Sequence, residues 1–232
     1  MKKTVISLCL AVAVFFVSAV TLCVRALRAP QSVAVIGGKA FTIVLDAGHG
    51  GMDGGVVGVA TKNKESDINL SITMRLKETL SDRGFSVVLT RKTPEGLYDT
   101  LGKGFKKRDM QKRKEIIEDA KPSLVISVHQ NFYPSSYTRG AQVFYSAQNF
   151  EAKRLANLVQ TQLNALYEED GVKARKEKTG AFYMLTCTPY PTVIVECGFL
   201  SNPKDDKLVN DATWQKKLAE RIASGVLSYF SA

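Results

Sequence analysis

The sequence predicts an α/β fold: a single three-layer domain with a mostly parallel twisted sheet flanked by helices, preceded by an N-terminal apolar helix. Three observations predict it. Short runs of β-branched and aromatic residues, such as Phe41 to Leu45, Phe85 to Thr90 and Ser123 to Val128, end abruptly in glycine, proline or polar residues, as buried strands do. Longer stretches between them repeat apolar residues at helical spacing. The resulting alternation of strand, helix and strand builds parallel sheets through right-handed crossovers.

At the N-terminus, Lys2 and Lys3 precede an uncharged run from Val5 to Val24. The run is long enough to span a bilayer, and no small-x-small cleavage site follows before Arg25 and Arg28, so an uncleaved anchor is expected over a cleaved signal. Leu22 is large where lipoprotein processing at Cys23 wants a small residue. The domain that follows is expected outside the cytoplasm, at the outer face of the membrane or in the wall. Residues 1–35 are read as this segment with a linker, and 36–232 as the catalytic domain.

The first strand, Phe41 to Leu45, breaks into Asp46-Ala-Gly-His-Gly-Gly51, a loop that presents His49. Residues 67–82 carry Ile68, Ile72, Leu76 and Leu80 with Gly84 as a stop, an amphipathic helix that places Glu65 just before its start. Phe85 to Thr90 is a strand, 93–104 a loop, and 106–120 a basic helix ended by Lys121-Pro122. The strand from Ser123 to Val128 delivers His129, and Gly140 to Tyr145 is a short strand. Leu155, Leu158, Val159, Leu163 and Leu166 stripe a helix over 147–169. A basic loop, a strand or turn at 181–186 and the strand Val193 to Val195, which ends in Glu196, follow. The closing helix, 211–230, aligns Trp214, Leu218, Ile222 and Val226.

With 232 residues, 45% of them hydrophobic, the chain suffices for one core after its N-terminus is set aside. A net charge of +10 points to an anionic partner. The basic residues form no aromatic-interleaved RNA signature and no basic zipper, so no nucleic acid is expected as a partner and an anionic wall polymer is. Of four cysteines, two lie in the apolar run; Cys187 and Cys197 are left either as a disulfide or as two buried thiols.

The chain has only two histidines, and both follow buried strands. In a parallel sheet the carboxyl ends of strands share one edge, where His49, His129 and Glu196 would converge. A zinc hydrolase needs three protein ligands from imidazole and carboxylate, and a second carboxylate to move protons. His49 and His129 supply the imidazoles; Glu65 and Glu196 supply one ligating and one catalytic carboxylate. A carboxylate that continues a Val-Ile-Val run is costly to bury without a partner or a metal.

The motifs Leu45-Asp-Ala-Gly-His-Gly-Gly51 with Asp53-Gly-Gly55, Lys64-Glu-Ser-Asp-Ile-Asn-Leu70, Leu89-Thr-Arg91, Ser127-Val-His-Gln-Asn131 and Val195-Glu-Cys-Gly-Phe-Leu-Ser-Asn202 together resemble the zinc-dependent N-acetylmuramoyl-L-alanine amidases of bacterial cell walls. The resemblance implies Zn2+ held by His49, Glu65 and His129, with Glu196 as the catalytic glutamate. It implies hydrolysis of the amide joining muramic acid to the L-alanine of the stem peptide of peptidoglycan, and a possible activator protein. Arg91 and Arg113 match family arginines, with structural or substrate-carboxylate roles, and Arg91 and Asn131 are carried as substrate-binding candidates. Gln130, Cys197 and Gln142 depart from the usual family pattern. Gly140-Ala-Gln142, the short layout and the apolar N-terminus are similar to the sporulation and germination-specific amidases. Two other readings are a non-catalytic wall-binding or regulatory homologue and a zinc peptidase cutting within the stem peptide.

Overall fold

The computed structural model describes residues 41–100 and 102–231. The expected apolar anchor and linker lie outside these residues. No helix among the described residues is long and apolar enough to cross a membrane.

Strand β1 is Thr42–Ala47, followed by α1, Glu65–Asp82, and β2, Ser86–Leu89. Helix α2, Phe105–Ala120, leads into β3, Leu124–Asn131, and then β4, Gln142–Tyr145. Helix α3, Phe150–Glu168, precedes the two-residue β5, Lys178–Thr179, and a 3-10 turn at Tyr183–Leu185. Strand β6, Thr192–Phe199, is followed by α4, Pro203–Asn210, and α5, Ala212–Ser231.

The six strands form one sheet in the order β2-β1-β3-β6-β4-β5. Strands β2, β1, β3 and β6 are parallel, whereas β4 runs antiparallel to β6 and carries β5 parallel at the edge. The sheet is therefore mixed: mostly parallel, as expected, with one antiparallel pairing, β4 on β6. Only the irregular segment 132–141 joins β3 to β4, and a link of that kind cannot return the chain to the opposite edge as a crossover helix does.

Two further differences have local causes. Glu65 is the first residue of α1, not a residue before it. The short helix α4 has no apolar stripe long enough to announce it; its signal is Asn202-Pro203, where the Asn202 side chain accepts from the backbone N–H groups of Lys204 at 2.9 Å and Asp205 at 3.0 Å.

The sheet's two faces are covered unequally. One face, with Ile43, Leu45, Leu124, Ile126, Val128, Val193 and Val195, packs against α1, α3 and α5 in the main core. The other, with Val44, Val125 and Ile194, forms a smaller cluster with Ile117 of α2 and Met184 and Leu185 of the 3-10 turn, edged by half-buried residues such as Met110 and Phe144. Cys197 belongs to the main core and Cys187 packs on the smaller cluster, so the two thiols lie on opposite faces and are free, which removes the disulfide alternative.

Candidate metal centre

The site grows from the end of β1. Asp46, at 1% exposure, accepts from Thr90 Oγ1 at 2.7 Å, Ser127 Oγ at 2.6 Å and the Arg113 guanidinium at 2.5 Å. After Ala47 the chain turns through Gly48 into His49, whose φ of 61° lies in the left-handed region, where a residue with a Cβ is strained by about 1 kcal/mol. Arg113 holds that turn by donating to the carbonyls of Ala47 at 2.8 Å and His49 at 2.6 Å.

Arg91 holds it from the other side. It is 3% exposed, and its guanidinium donates to the carbonyls of Ala47, Gly48, Ser66 and Thr93 at 2.8 to 3.0 Å. Expected among the substrate contacts, Arg91 instead lies beneath the loop and does not line the cleft; Asn131, the other such candidate, does line it. The reason is geometric: a strand-end arginine next to a turn full of outward carbonyls finds acceptors before it finds solvent.

Three side chains converge in front of this turn. Glu65 Oε1 lies 3.3 Å from His49 Nε2 and 3.0 Å from His129 Nδ1. One ligand atom from each of the three falls within 4.8 Å of the others. Ligand atoms around a tetrahedral ion with bonds near 2.0–2.1 Å are separated by about 3.3 Å, so this set fits a zinc-sized cation. Glycines make the convergence possible. A Cβ on Gly48 would stand 2.2 Å from the His129 ring, and one on Gly55 would stand 2.5 Å from Glu65 Oε2.

The surrounding groups fix orientation. Glu65 accepts from the backbone N–H groups of Val56 and Gln130, both at 3.1 Å, and from Asn69 Nδ2 at 3.3 Å. Gln130 Nε2 donates to Asn69 Oδ1 at 3.1 Å, closing that network. His49 Nδ1 donates to Asp53 Oδ2 at 3.0 Å, which turns Nε2 toward the site, and Lys106 binds the other Asp53 oxygen at 2.9 Å. Asp53, Asn69 and Gln130 were not among the residues expected at the site. Asn69 was accessible through its i+4 spacing from Glu65 on a helix and Gln130 through its place on β3 directly after His129, whereas Asp53 depends on a loop path that spacing does not encode.

The charges follow from these contacts. Burial opposes ionisation of Glu65, but the hydrogen bonds and charges of His129 and His49 hold its carboxyl well below the usual range. Burial likewise opposes charge on His49, yet Glu65 and Asp53 beside it raise the imidazole to about 9. Glu196, opposite His129 in the β3–β6 register, is raised to about 7, chiefly by burial, and its Oε2 has no hydrogen-bond partner among the described residues. The site thus combines a tight three-donor cluster with one free, proton-holding carboxyl.

A model of the N-acetylmuramoyl-L-alanine amidase family matches residues 43–228. The chain belongs to that family. As an amidase it is an enzyme that hydrolyses the bond between N-acetylmuramic acid and L-alanine. It is 34% identical to the germination-specific N-acetylmuramoyl-L-alanine amidase of Bacillus subtilis, over 82% of this chain and 79% of that one. It is 29% identical to the amidase AmiA of Escherichia coli, over 84% and 77%. Among solved structures, the CwlD amidase of Clostridioides difficile, determined in complex with the GerS lipoprotein, superposes with a TM-score of 0.78 at 36% identity, over 82% of this chain and 98% of that one.

In this amidase, Gly48→Ala should fold and lose metal, because the added methyl overlaps the His129 ring and not the core. The expected result is a metal content well below one per chain with a melting temperature of the metal-free protein within a few degrees of the parent's; full metal occupancy would show that the ring can move aside.

Proposed function

We propose that this amidase holds one zinc ion on His49, Glu65 and His129 and hydrolyses the muramoyl–L-alanine amide of peptidoglycan with Glu196 as its general base and acid. The observation that carries this reading is Glu196, which lines the same cleft as the three donors and whose buried Oε2 has no partner among the described residues. When bound, zinc supplies Lewis acidity to the scissile carbonyl and to the attacking water. Glu196 then takes the proton from that water at its free oxygen and passes it to the leaving amine of L-alanine. Its burial keeps the carboxyl basic enough for the first transfer, and the charge of a nearby ion would bring it back toward the ionised form. Arg113 and Arg91 keep the His49 turn in place, and Asn131 lines the cleft as a hydrogen-bonding group for the substrate.

The germination-specific relative supports a role in spore-cortex remodelling, with muramic lactam formation and germination as the setting, and the cell-wall relatives support action outside the cytoplasmic membrane. Residues 1–35 would serve as signal or anchor and 36–232 as the zinc amidase domain. The complex of the Clostridioides difficile amidase with a lipoprotein supports an accessory protein for this chain too.

The test is incubation on peptidoglycan from vegetative wall and from cortex, with and without chelator. Chelator-sensitive release of new N-terminal L-alanine, faster on cortex, is expected; a shortened stem peptide would instead indicate a peptidase. Zinc loading should also release protons. His49 must lose the proton that Glu65 and Asp53 stabilise on it, so zinc affinity should rise with pH up to about 9. Calorimetry in buffers of different ionisation enthalpy measures this directly, and a buffer-independent heat would refute it.

A further inference from the structure

Beyond the donor cluster the cleft, about 590 Å3 in volume, extends along the less covered face of the sheet. On β6, Glu196 and Ile194 share a face, so about 7 Å of strand separates them. Phe144 of β4 lies opposite Ile194, and Phe182 stands edge-to-face on Phe144 with ring centroids 5.4 Å apart at 79°. Phe182 and Tyr183 are 46% and 48% exposed, yet the turn that carries them is rooted by the buried Met184 and Leu185. The shelf is thus aromatic, half-exposed and held by core residues.

Peptidoglycan offers two different surfaces to such a shelf. Its stem peptide is rich in carboxylates, and Phe144, Phe182, Tyr183, Met184 and Ile194 provide no charge to meet them. Its glycan consists of rings with apolar C–H faces, which stack on aromatic side chains. Among the described residues, the exposed cation that lines the cleft, Lys106, is tied through Asp53 to His49, and the exposed Lys178 flanks the shelf opposite Phe144 at the sheet edge. We propose that Phe144, Phe182 and Tyr183 form a glycan subsite that binds a sugar ring of the strand adjoining the muramoyl residue under attack. This rests on the amidase reading of the same cleft.

The test titrates the full chain with two probes, glycan strands stripped of peptide and free stem tetrapeptide, and measures binding by calorimetry. The double variant Phe182→Ala with Tyr183→Ala should weaken glycan binding about tenfold or more. Phe182→Tyr, which keeps the ring, should retain it. Tyr183→Ala alone provides the same comparison with half the shelf if the double variant folds poorly. Unchanged glycan binding in the alanine variants, or loss of tetrapeptide binding in its place, would overturn the proposal. Failure of the amidase reading is distinguishable, because it would show as absent turnover of intact peptidoglycan by the parent protein.

Discussion

Glu196→Gln should lower turnover on peptidoglycan by about 10²–10⁴-fold while leaving about one zinc per chain. The substitution keeps size and hydrogen-bonding capacity but removes a carboxyl that can accept and return a proton at an oxygen with no other partner among the described residues. Because the three donors lie on the loop after β1, on α1 and on β3, and the glutamate on β6, the metal content should not depend on it. Metal analysis beside an assay for new L-alanine termini separates the two roles. A variant that loses zinc would make Glu196 a ligand, and one that keeps its rate would move the proton transfer to another group.

Arg113→Met is expected to give the largest loss of stability, about 3–5 kcal/mol, because it leaves the buried Asp46 carboxylate without its counter-ion. The dependence on pH should also change sign. In the parent, burial opposes ionisation of Asp46, but Arg113, Ser127 and Thr90 bring its pKa down to about 2. A folded value below the unfolded one gives stability that is complete above about pH 4 and lost as pH falls through about 2, some 2–3 kcal/mol from this residue. Without Arg113, burial dominates and the folded value rises above the unfolded one. The variant should then lose stability as pH rises from about 4 toward neutrality. Urea unfolding midpoints across that range give the slope, and a variant with the parental slope would show that Asp46 is stabilised by its hydroxyl partners alone.

Much of this site was legible in the sequence because its residues follow apolar strand runs, although β3 and β6 themselves extend beyond His129 and Glu196, to Asn131 and Phe199. His49, His129 and Glu196 each continue an apolar strand, and a parallel sheet aligns such positions without further information. Glu65 was harder to place, since its lysine-rich surroundings resemble a solvated loop; only the fold reveals that α1 begins at that residue and buries its carboxylate. For Arg91 the family resemblance left a structural and a substrate-carboxylate role open; its partners are backbone carbonyls of the left-handed turn and its surroundings, which no side-chain pattern encodes. The strand β4 was read from the sequence but not its antiparallel direction, and the helix α4 was not read at all, for a related reason: each is short, and its direction or start is set by one loop or one Asn-Pro pair.

The donors at 49, 65 and 129, and the arginines at 91 and 113 that brace them, are scattered over most of the first half of the domain. None of these side chains meets another until β1 has paired with both β2 and β3 and α1 and α2 have docked. A chain in which these elements have not packed therefore lacks both the three-donor cluster and the arginine brace behind it.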